Sequence, residues 1–153
     1  MMGFSIIGLL IAGFIFLPNL LFIIFPPKNV PDGLKDAGII FTVLERIGQV
    51  GCLVILVISK DNYLNVNIDI WFILMALCVM LYYSLWTRYV IKGHDFMLCF
   101  KPLVFLPIPM AIFPVFAYGF AALWGKSINL GIAVVLLAIG HFVNSWHTYK
   151  LTK

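Results

Sequence analysis

Apolar residues in this chain neither alternate nor gather on one narrow helical stripe. They run almost unbroken for about twenty residues at a time, over 3–25, 38–59, 68–89, 103–124 and 128–149. A hydrocarbon core about 30 Å thick takes roughly 20 apolar helical residues to cross, so each run is long enough to span a bilayer. A membrane barrel would instead show short segments of alternating polarity. The pattern predicts an all-α polytopic transmembrane bundle of five helices, forming a single integral membrane domain over 1–153. The pieces between the runs are too short to bury a core of their own. The first run lacks a basic leader and a small-residue cleavage site, and Phe25-Pro26-Pro27 closes it. It is therefore expected to stay in the membrane as a helix rather than to act as a signal peptide.

Composition agrees with that pattern. Of the 153 residues, 63% are hydrophobic and 10% charged, where soluble domains carry roughly 25% charge. The mean hydropathy is +1.10. A soluble enzyme or soluble binding domain is excluded, because a chain this small has too little interior for so much apolar surface.

Charge adds an orientation. With five spans, one side receives Lys28, Lys35, Arg46, Arg88, Lys92, Lys101, Lys150 and Lys153, and the other only Lys60 and Lys126. Basic residues stay on the cytoplasmic side of a membrane. The N-terminus is thus expected outside and the C-terminus in the cytoplasm, in a cytoplasmic or plasma membrane. The net charge of +4 is read as this topology signal, with anionic lipid as a second target. The bilayer is the expected partner, together with a second copy of the chain or another membrane protein; nucleic acid is not.

The second run holds the most informative residues. At about 100° per residue, Gly38, Phe41, Glu45, Gly48, Gln49 and Cys52 share one face. Ile40, Val43, Ile47, Val50, Val54 and Ile58 share the other. The aliphatic face should meet lipid and the small, polar face other helices. Glu45 is the chain's single glutamate, and an ionisable group inside a span is costly unless it is partnered or used. In the fifth run His141, Asn144, Ser145 and Thr148 form a second polar stripe at the same membrane level, so the two stripes are expected to meet. The third run aligns Trp71, Met75, Cys78, Tyr82, Trp86 and Tyr89. Most of these read as packing and as interfacial aromatic belts, with Arg88 as a head-group anchor. Tyr82 lies deeper, and its hydroxyl needs a partner. The candidate ligand-binding set is Glu45, Gln49, Tyr82, His141 and Asn144.

The fourth run contains Pro102, Pro107, Pro109 and Pro114. It is expected to kink or break between Leu106 and Pro114, since each internal proline removes a helical hydrogen bond. Cys52, Cys78 and Cys99 occur singly and read as small apolar fillers rather than redox centres. His94, Asp95, Cys99, His141 and His147 lie toward the inner side without any metal-ligand spacing, and no catalytic or nucleotide-binding motif is present. No metal, cofactor or catalytic residue is expected. Three functions remain open: binding or transport of a small ligand or ion through an inner-half polar pocket; an embedded enzyme acting on a lipid or isoprenoid; and an accessory subunit of a membrane complex.

Overall fold

The computed structural model describes residues 3–60, 67–103 and 105–152. Val104 of the fourth run and Lys153 of the basic set lie outside them. The architecture is that of an all-α helical membrane bundle, with isolated bridges in place of strands among the described residues. The first span comprises α1 (Ile6–Phe16), a 3-10 turn and α2 (Leu21–Ile24), followed by α3 (Ile39–Ile58), α4 (Ile70–Ile91), α5 (Pro109–Trp124) and α6 (Ile128–Leu151). The first span, α3, α4 and α6 are long and apolar enough to cross a membrane; α5 is shorter.

Local chemistry sets the helix ends. Ser5, Asp69 and Ser127 cap α1, α4 and α6, each accepting a hydrogen bond from a first-turn amide, which satisfies a donor with no helical partner. Pro18 explains the 3-10 turn inside the first span. It offers no N–H to the Phe14 carbonyl, and that carbonyl instead accepts the Tyr83 hydroxyl of α4 at 2.9 Å. Backbone freed at membrane depth is tolerated when a side chain takes it up in this way.

Prolines shape the fourth run differently from a simple bend. Leu103 and Leu106 exchange backbone hydrogen bonds in a tight turn, and Ile108 is left-handed at φ 48°. The helix begins only at Pro109, where a proline fits the first turn. The expected span over 103–124 is therefore helical over 109–124 alone, with Pro114 inside it. Its 16 residues rise about 24 Å, short of a full crossing.

The helices do not simply pack in chain order: α3 lies most extensively against α6, running opposite to it, and α4 against α5, while α1 packs on α3. The α3–α6 pair closes through glycines. A Cβ on Gly48 would fall on the Leu137 backbone, and one on Gly140 on the backbone of Glu45 and Phe41. All six aliphatic positions expected to face lipid on α3 are exposed. The main core joins Ala12 and Ile15 of α1, Cys52 and Leu56 of α3, Ala117 and Ala121 of α5, and Leu130 and Leu137 of α6. A second cluster, toward the C-terminal end of α4, joins Tyr82, Trp86 and Tyr89 of α4 to Cys99 and Phe113. Here the belt reading needs correction. Trp86 and Tyr89 are buried, packed edge-on against Phe22, and Tyr89 donates its hydroxyl proton to the Phe25 carbonyl. Arg88 is half-buried and folds its guanidinium back onto the Leu98 carbonyl at 3.2 Å.

Candidate functional site

Glu45 lies two turns into α3, on the face that carries Gly48. Because Gly140 lets the two backbones touch, the residues beside and one turn beyond it on α6 come within reach of the carboxylate. His141 and Asn144, three apart, share one helical face. The Glu45 carboxylate is held at both oxygens. Oε1 lies 2.7 Å from His141 Nδ1 and Oε2 accepts the Asn144 side-chain amide at 2.5 Å. Thr148 donates to the main-chain carbonyl of Asn144. The Glu45 and His141 side chains keep 24% and 29% of their surface accessible, so the pair is sheltered rather than sealed.

Such a contact fixes the imidazole. A neutral histidine with Nδ1 against a carboxylate carries its proton on Nδ1 and keeps a lone pair on Nε2. His141 also lines a cavity of about 110 Å³, together with Asn19, Tyr82, Cys99 and Ser145. Tyr82 donates its hydroxyl proton to Asn19 Oδ1 at 2.8 Å. His141 thus links two groups of candidates: it is bonded to Glu45, which Asn144 also holds, and it shares the cavity wall with Tyr82 and Asn19. Gln49 joins neither. It is half-buried, and its side chain makes no hydrogen bond to a described residue.

Asn19 was not legible as a site residue. The only sequence signal is an amide directly after a proline inside an apolar run. Ser145, read from sequence as a contact between helices, sits on the cavity wall. Cys99 lies in the short 3-10 turn Phe96–Cys99 outside the spans, where burial and then the nearby Asp95 charge push its thiol up to about 12. It stays protonated at neutral pH. Among the described residues no group of three or more His, Cys, Asp or Glu gathers as a metal site would require. No family model, curated protein or solved structure matches this chain.

Proposed function

We propose that the protein binds, and moves across the bilayer, a small polar ligand or ion in proton-linked fashion, using the inner-half site built on Glu45. The observation that carries this reading is the 2.7 Å contact of Glu45 with His141, together with the place of His141 on the cavity wall. A proton reaching the pair settles on the imidazole or the carboxylate. Either way, the charge beside the cavity changes by one unit, and in a medium of low dielectric such a change alters polar binding strongly. Asn144 holds the carboxylate in place, Tyr82 and Asn19 offer the polar groups opposite, and Gln49 extends the polar face of α3. The embedded-enzyme reading fits less well. A cavity of about 110 Å³ is smaller than the roughly 300–1,000 Å³ typical of drug-sized ligand sites, and suits an ion or small polar ligand better than a lipid or isoprenoid.

The proton itself is the probe. Protein reconstituted in vesicles holding a pH-sensitive dye is given a potassium diffusion potential. Wild type is expected to admit protons faster than protein-free vesicles, and Glu45→Gln to return to the protein-free rate while folding normally. Wild-type vesicles that admit protons no faster than empty ones, or a Glu45→Gln protein as fast as wild type, would overturn the proposal.

A further inference from the structure

A larger recess lies on the outer surface of α5 and α6, away from the Glu45 cavity, and its cause is the short α5. The two helices are joined by a connection of three residues, 125–127, and run antiparallel. The 16 residues of α5 are therefore matched by the first 16 of α6, while α6 has 24. The last eight residues of α6 overhang by about 12 Å. The turn at Leu103–Leu106 and the left-handed Ile108 stand in place of a continued helix, and Pro107 and Ile108 line the recess that results. A groove of about 560 Å³ remains at this step.

Its chemistry is graded along its length. The part toward the bundle centre is lined by Ile112, Phe116, Phe142 and Val143, and the part toward the helix end by His147 and Lys150. The Lys150 ammonium is held 5.7 Å over the Trp146 ring, an arrangement that leaves its outer side open to an anion. The lining residues include no acid; Asp36 adjoins one of them, Ala37, in sequence. Phe105, two residues before the lining Pro107, is 95% exposed. The basic end faces the same side as most of the chain's lysines. This charge pattern excludes a cationic occupant, and the apolar slot next to the ammonium calls for a tail attached to the anion.

We propose that this groove is a binding site for one anionic phospholipid of the inner leaflet. Its phosphate pairs with Lys150 and hydrogen-bonds to His147, and one acyl chain lies along Ile112, Phe116, Phe142 and Val143. The site is independent of Glu45. Specific lipid sites in membrane proteins combine a basic pocket with an adjoining apolar surface, and here the proline-shortened helix supplies the surface.

The test is native mass spectrometry of the full chain released from mixed micelles. These contain phosphatidylglycerol and phosphatidylcholine in equal amounts. Wild type should retain one phosphatidylglycerol in preference to phosphatidylcholine. Lys150→Glu should reduce that preference about tenfold, as reversal of one charge near a lipid phosphate implies. Val143→Trp, which keeps the charge and fills the slot, should lose the bound lipid as well. Lys92→Glu, an equal charge change on the same side but outside the groove, should have no effect. Equal losses in Lys92→Glu and Lys150→Glu would reveal diffuse attraction and overturn the site. So would unchanged retention in Val143→Trp, or displacement of the lipid by inorganic phosphate at concentrations matching the lipid.

Discussion

A Cβ at Gly140 would overlap the Glu45 nitrogen and the Phe41 carbonyl, both of them backbone atoms. Neither can swing aside as the end of a side chain can, so α3 and α6 would have to separate. Gly140→Ala is therefore expected to destabilise the protein by about 1–3 kcal/mol, the usual range for overpacking, and to pull Glu45 off His141. Gly131 on the same helix has nothing within 4 Å of its position. Gly131→Ala should be neutral, or stabilising by up to about 1 kcal/mol from helix propensity. Thermal unfolding of the two variants in one detergent checks the contrast. Equal shifts would mean that close approach of the helices is not what Gly140 supplies. At this scale the sequence showed a carboxylate in an apolar run and small residues on its face. Matching depth also pointed to the polar stripe of the fifth run as its partner, but not to which atoms would meet, His141 at one oxygen and Asn144 at the other, because that depends on how closely two segments about a hundred residues apart approach.

Between elements, the informative contact is the one that ties the end of the first span to the loop after α4. Lys28 and the 94–96 segment exchange backbone hydrogen bonds, and the Asn29 side chain donates to Asp95 at 3.0 Å. The Asn29 hydrogen bond first, and then the Met97 amide, hold the Asp95 carboxyl below its ordinary value. A carboxyl depressed by folding adds stability above its unfolded pKa, and that stability is lost as pH falls through the folded value. The clasp should therefore hold at neutral pH and loosen only below the usual carboxylate range, with a small effect on the whole fold because Asp95 is open to solvent. Asn29→Ala should raise the Asp95 pKa toward its unperturbed value, read from the carboxyl carbon resonance of labelled aspartate during acid titration. An unchanged titration would show that Asn29 does not control the clasp. The proline logic belongs to this scale as well. A break in the fourth run was legible from Pro107, Pro109 and Pro114. Its form was not, since a run of prolines is equally compatible with a bend within the helix and with a delayed start.

For the whole molecule, the fold gathers at one end the connections that the charge reading assigns to one side. The 26–37 and 90–102 connections, which carry four of the lysines, touch each other through Lys28 and Asp95. The opposite end brings Gly3 against the end of α3 at Ile58 and Lys60. A reporter fused after Lys153 is expected to read cytoplasmic, and one inserted in the 60–67 connection external. An external reading at Lys153 would overturn the orientation and, with it, the placement of the lipid groove in the inner leaflet.

The number of apolar helices, their order, the lipid face of α3 and the need for a partner at Glu45 followed from the sequence alone. Each depends on local quantities: the length of an apolar run, a helical repeat, the cost of an unpaired charge in hydrocarbon. Tertiary structure decided the rest. It buried Trp86 and Tyr89, turned Arg88 onto Leu98, and brought Asn19 to Tyr82. It also left Gln49 outside the hydrogen-bonded cluster and opened a groove where α6 outruns α5. In a bilayer, packing between apolar surfaces has little preference written in composition, because lipid and protein are equally apolar. Which faces meet is then set by where glycines allow contact and where prolines end a helix, and those effects appear only when all the helices are in place.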